Sequence, residues 1–157
     1  MKTALIALTA LALAPVAAAA EIVIGYAPDF QEKLEDDYGV KEGDKLQSDI
    51  RSDLERELGK ANVDPARISV TILDAKPNRP TMEQLSQRPG LDMLRSKSIG
   101  GMELSGVAYD ASGAAIAEVE YEWFESDITQ VVAAGVWSDA NRASRRFAQH
   151  FAEELTD

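Results

Sequence analysis

The sequence predicts an α+β fold, a two-layer sandwich in which two helices pack on one face of a roughly four-stranded sheet. Leu46, Ile50, Leu54 and Leu58 recur every four residues in a charged stretch, and Ala140, Ala143, Phe147, Phe151 and Leu155 repeat helical spacing near the C-terminus. Each set makes one apolar stripe, so each helix has one face to bury. Ile68, Val70 and Ile72 alternate with Ser69 and Thr71, the two-residue period of a half-buried strand. Asp110-Ala-Ser-Gly113 separates two strand-like runs as a hairpin turn would.

Residues 1–20, MKTALIALTALALAPVAAAA, read as a cleaved signal peptide. Lys2 opens the segment, Thr3 to Leu13 is uncharged, and Ala18-Ala19-Ala20 supplies the small residues a signal peptidase requires. The run from Thr3 to Leu13 falls well short of the ~20 apolar residues that span a bilayer. Cleavage would start the mature chain at Glu21 and leave a single α+β domain over residues 21–157. No cysteine stands beside the cleavage site to carry a lipid. The expectation is therefore a periplasmic protein that is not a lipoprotein and has no integral membrane segment after cleavage.

Along the mature chain, Glu21 to Ala27 is β-branched and stops at Pro28, which marks a first strand. Residues 28–43 read as a polar, acidic connection. Asp44 followed by Gln47 resembles a capping pair opening the first helix, which Gly59 to Asn62 would end. Arg67 to Ala75 gives the second strand. The segment KPNRPTMEQLSQRPG, residues 76–90, holds three of the six prolines. Each fixes one backbone angle and restrains the residue before it, so this long connection is stiff. Within it Thr81 is placed to cap a short helical turn. Lys97 to Tyr109 and Ala114 to Glu125 form the hairpin, and a helix from Ser138 to Leu155 closes the chain.

With Tyr109 opposite Ala114, Leu104 faces Val119, Met102 faces Tyr121 and Gly100 faces Trp123, which leaves room for the indole. That register puts the apolar residues on one side, with Tyr121 and Trp123 buried beside Phe147. Glu103 then stands opposite Glu120 on the open face, with Glu118 and Glu122 alongside. Like charges so placed repel and invite a cation or a basic partner. A bulge at Gly113 would slide the pairing by one residue and mix the faces.

Composition removes several classes of function. A formal charge of −11 argues against nucleic acid and anionic lipid as general partners. Without cysteine there is no disulfide, thiolate metal site or cysteine nucleophile. The single histidine, His150, shares four-residue spacing with Arg146 and Glu154, off the Phe147–Phe151 stripe, and so reads as a surface residue. Neither a Gly-x-Ser-x-Gly elbow nor a phosphate loop is present. Asp36-Asp37 and Asp110-x-Ser112 lack the spacing of a calcium loop and read as turn residues. No catalytic residue, cofactor or metal ligand is assigned.

Tyr38-Gly-Val-Lys-Glu-Gly43, Pro77-Asn-Arg-Pro-Thr-Met-Glu-Gln-Leu85, Pro89-Gly-Leu91, Ser98-Ile-Gly-Gly101 and Trp137-Ser-Asp-Ala140 together resemble a group of short, uncharacterised exported proteins of proteobacteria. The resemblance implies a periplasmic or envelope setting and carries no catalytic residues with it.

The expected function is a non-enzymatic accessory or protein-interaction module of the cell envelope. Its candidate surfaces are Arg79 and Arg88 on the proline loop and Glu103, Glu118, Glu120 and Glu122 on the sheet. The alternative is a small-molecule or divalent-cation binding protein using the same residues. A carboxylate-based hydrolase ranks last, because paired carboxylates can do acid and base work but nothing marks out a pair. The loop at 76–90 is either a recognition loop or a structural one whose arginines pair with local carboxylates. The strand at Glu21 to Ala27, if at a sheet edge, leaves a homodimer possible.

Overall fold

The structure, a computed structural model, describes residues 20–131 and 135–157. The expected leader, residues 1–20, lies outside them but for Ala20. Four strands, β1 (Glu21–Tyr26), β2 (Arg67–Lys76), β3 (Gly101–Tyr109) and β4 (Ala115–Phe124), form one sheet in that order. The helices are α1 (Pro28–Lys33), α2 (Val40–Ala61), α3 (Met82–Gln87) and α4 (Ser138–Glu154). β1 and β2 run parallel while the other pairs are antiparallel. A parallel pair cannot be joined by a tight turn, and α1 and α2 make the crossover.

The helices α2 and α4 lie together on one face, as their stripes require. Leu46, Ile50, Leu54, Leu58, Ala140, Ala143, Phe147 and Phe151 are all buried, against Ile68, Val70, Ile72, Met102 and Leu104 of the sheet. Between the two helices Ser144 Oγ donates to Asp53 Oδ2 at 2.7 Å, so the buried carboxylate is satisfied. Glu118, Glu120 and Glu122 point to the other face and are exposed, with Glu103 half-buried beside them.

Two expectations about the first half of the chain are corrected. Residues 28–43 are not simply a connection: Pro28 starts α1, where its fixed φ suits the first helical turn. Phe30 and Leu34, four apart, are buried at 0% and 2% exposure. The next turn, Leu34–Tyr38, widens so that Gly39 N–H donates to Leu34 O at 2.8 Å. Gly39 has φ 95° and φ of that sign suits glycine, which lets α2 start at Val40 rather than Asp44. Gln47 is therefore no cap. Its Nε2 reaches β1 and donates to Ile24 O at 2.8 Å, while Arg51 Nη1 donates to Ile22 O at 2.5 Å. The outer rim of β1 thus has two of its carbonyls already occupied.

The hairpin keeps its faces but slides by two residues. Asp110 N–H donates to Ala114 O, Tyr109 pairs with Ala115, and the next pair is Ala108 with Ala117. Ile116 is the extra residue of that bulge and is 48% exposed. One slip at the turn and one at the bulge restore the alternation. Leu104 consequently faces Tyr121, Met102 faces Trp123, and Glu103 faces Glu122 rather than Glu120. Gly100 does not face Trp123.

Trp123 and Tyr121 share the helix side, yet both are half-buried rather than enclosed with Phe147. β4 is an edge strand, so its rings lie at the rim of the α4 stripe. Polar side chains cover them there: Arg142 and Arg146 place guanidinium carbons 5.3 and 4.7 Å from the Trp123 ring centroid. His150, an exposed residue as expected, stacks 5.4 Å from Tyr121.

Candidate functional site

The chain from Pro77 to Gly100 joins β2 to β3 across one end of the sheet, and Asn78 fastens it. Asn78 is fully buried. Its backbone N–H donates to Val136 O at 2.7 Å, and its carbonyl accepts from Ser98 N–H at 3.0 Å. Its side-chain amide donates to Asp139 Oδ2 at 2.5 Å and to Ser98 O at 3.2 Å, while Oδ1 accepts from Asp139 N–H at 2.8 Å. Asp139, at 3% exposure, also accepts from Gly100 N–H at 3.3 Å. Gly100 is small for a reason: a Cβ there would lie 2.8 Å from Lys76 O and 2.9 Å from the Asn78 amide.

The same end is closed from the other side by the chain around Tyr38. Trp137 Nε1 donates to Glu42 Oε2 at 2.7 Å, and Tyr38 meets the Trp137 ring edge-on at 5.7 Å. Thr81 and Gln84 form a reciprocal capping box at the start of α3, as the sequence suggests. Gln84 Nε2 then donates to Asp37 Oδ2 at 3.0 Å. The motif segments 38–43, 77–85, 98–101 and 137–140, far apart in sequence, therefore meet in one place.

Arg79 and Arg88 are brought together here. Arg79 Nη1 donates to the carbonyls of Leu94 and, at 3.4 Å, Met93, tying the descending part of the loop to the ascending part. Arg88 Nη2 lies 2.7 Å from Asp37 Oδ1 as an ion pair, although no donor is aimed along a hydrogen-bond direction at that oxygen. The pairing expected of a structural loop is thus seen for Arg88, and Arg79 binds backbone carbonyls of the loop.

Beneath the loop is a cavity of about 240 Å³. Tyr38, Pro77, Pro80 and Leu91 give it apolar walls, and Lys76, Arg79, Arg88 and Lys97 give it cations; no carboxylate lines it. Burial pushes the Tyr38 phenol up to about 12, with the charges of Asp74 and Asp37 adding to the effect and Arg88 opposing it. The hydroxyl is consequently neutral, and a donor, throughout the physiological range.

Glu103, Glu118, Glu120 and Glu122 form a separate cluster on the open sheet face, and none of them lines the cavity. Among the described residues no group of three or more histidines and carboxylates is set to hold a metal ion. Asp110 is a turn residue: its carboxylate accepts from the Ser112 hydroxyl, Ser112 N–H and Ala114 N–H, which holds it below the usual carboxylate range. Asn78, Asp139, Tyr38, Lys76 and Lys97 were not singled out by sequence. The available signal was an asparagine between Pro77 and the Arg79-Pro80 pair, where a stiff chain must place its side chain inward or outward with little compromise.

No protein-family model and no curated protein matches the chain. Among solved structures, the crystal structure of a minor lipoprotein from Acinetobacter baumannii aligns over 87% of this chain and 88% of its own, at 13% identity and a TM-score of 0.27. So remote a likeness assigns neither fold nor function. No helix among the described residues is long and apolar enough to cross a membrane.

Proposed function

We propose that the protein is a non-enzymatic accessory module of the cell envelope, exported to the periplasm, that acts by recognition at the cavity under the 77–100 loop. The observation that supports this is the construction of the site. Three distant segments are locked together by buried hydrogen bonds to Asn78 and Asp139, and the Trp137–Glu42 and Gln84–Asp37 bonds add the segment around Tyr38, which leaves a preformed opening. Preformed, partly apolar cavities with a few polar groups are where small ligands bind. A lining of four cations favours a small-molecule ligand over the divalent cation also considered from sequence. Export is supported by the charged start, apolar stretch and Ala-x-Ala site of residues 1–20.

A thermal-shift screen of metabolites tests the reading, because a ligand of the native state raises the melting temperature. A hit should perturb backbone amides of residues 76–98; hits that perturb only other regions would refute recognition at this site. Intact mass of the periplasmic form should correspond to a chain starting at Glu21.

A second reading uses the sheet face as a docking surface for a basic protein. Glu103 opposite Glu122 favours it, since like charges held across a strand pair are relieved by an incoming cationic side chain. Loss of a co-purifying partner on replacing Glu103, Glu118, Glu120 and Glu122 with glutamine, with folding retained, would support this surface.

A further inference from the structure

We infer that the cavity under the 77–100 loop takes a small organic anion, a carboxylate or phosphate ester on a compact, partly apolar body. The inference rests on the recognition reading above and specifies its ligand. The chain carries a net charge of −11, yet Lys76, Arg79, Arg88 and Lys97 line this one cavity and no carboxylate does. The carboxylates whose charges reach Tyr38 are already engaged: Asp37 by Gln84 and Arg88, and Asp74 by Lys33 at 2.8 Å. The ammonium groups of Lys76 and Lys97 make no ion pair or hydrogen bond with any described residue. A concave patch of one sign on a surface of the other concentrates the counter-ion it can accept.

Solvated lysines alone are ordinary. Here they share a walled cavity with two further kinds of donor. Arg88 is 55% exposed at its side chain and touches Asp37 without a directed hydrogen bond, so most of its fork of N–H groups remains available. That planar fork matches a carboxylate or phosphate. The Tyr38 hydroxyl, kept protonated, adds a neutral donor. At about 240 Å³ the space falls below the roughly 300–1,000 Å³ of drug-sized pockets, which limits the ligand to a small metabolite. Pro77, Pro80 and Leu91 would contact its apolar part.

The test is a titration of the full chain with inorganic phosphate and with citrate, at ionic strength held constant with chloride, followed by amide chemical shifts and melting temperature. Neutral sugars and a polyamine serve as controls of other charge. Saturable shifts at residues 76–98 and a raised melting temperature with an anion are expected. Lys76→Ala/Lys97→Ala, which alters only exposed side chains, should leave the free protein's melting temperature unchanged and weaken anion binding about tenfold or more, the scale of one charge-assisted hydrogen bond. Anion shifts that persist undiminished in that variant would overturn the assignment. Perturbation of the cavity by neutral or cationic compounds alone would overturn the anion and leave the recognition reading standing. If no compound of any charge perturbs residues 76–98, both fall.

Discussion

Asn78 and Asp139, 61 residues apart, bond in both directions: the Asn78 amide donates to Asp139 Oδ2 at 2.5 Å, and Asp139 N–H donates back to Asn78 Oδ1 at 2.8 Å. Both are buried, so neither finds water if the other is removed. Asn78→Ala would leave Asp139 with the Gly100 N–H and a distant Arg142 at 3.6 Å. The expected cost is about 2–4 kcal/mol, the range for orphaning a buried charged acceptor. Urea denaturation measures it, and amide exchange should quicken across residues 77–100. A loss under about 0.5 kcal/mol would show that the pair does not fasten the loop.

Gly101 gives a second test of the same end of the sheet. A Cβ there would lie 2.3 Å from Trp123 O and 2.5 Å from Phe124 Cα, backbone atoms that move only with the strand. Gly101→Ala should destabilise by roughly 1–3 kcal/mol or more, as overpacking does. At Gly25 no described residue would come within 4 Å of a Cβ, so Gly25→Ala should instead stabilise by roughly 0.5–1 kcal/mol. Equal melting temperatures for the two variants would contradict the close approach of β3 to β4.

The hairpin register can be read by charge. Glu122 stands opposite Glu103, whereas Glu120 stands opposite Ser105. Glu122→Lys should raise stability by roughly 0.2–1 kcal/mol through a cross-strand ion pair. A double-mutant cycle with Glu103→Gln should find coupling for position 122 and little for position 120. The reverse result would restore the pairing expected from sequence.

Tyr38 makes the alkaline side of the stability profile informative. Its phenol is raised from 10.0 to about 12, so the folded state holds that proton more tightly than the unfolded chain. The stabilisation this represents is complete below about pH 10 and disappears as pH rises through 12. Ultraviolet titration should show a late-ionising phenol that Tyr38→Phe abolishes. Its loss should also flatten the fall in stability over that window.

How much of this was legible depends on what each segment packs against. The two apolar stripes and the Ile68–Ile72 alternation specify helices and strand locally, and the α+β sandwich follows from them. The start of α2 was misread because Asp44 and Gln47 imitate a cap, while Gly39 supplies the backbone turn and Gln47 serves β1. α1 and the turn after it were missed although Phe30, Leu34 and Tyr38 recur every four residues; the charged residues between them masked the stripe. The hairpin slid because it slips once at the turn, where Tyr109 pairs with Ala115, and once more where Ile116 drops out of the ladder. Arg79 and Arg88 were marked by loop composition. Lys76, Lys97 and Asn78 were not, because their meaning comes from a cavity that four separate segments create.

Gln47 and Arg51 bear on how this molecule behaves when crowded. A strand whose rim carbonyls stand open is a template, on which further copies can be laid down one after another into a fibril. Here α2 puts a side chain onto the rim at Ile22 and another at Ile24, and an arriving strand must displace both. The rim at β4 is guarded differently, by a glutamate at every second residue from Glu118 to Glu122, so that two such rims repel. Shielding at both ends of the sheet lets an acidic chain be concentrated without seeding polymerisation. Gln47→Ala/Arg51→Ala should shorten the lag before fibrils appear under mild agitation, and raising the salt should act on the β4 rim alone.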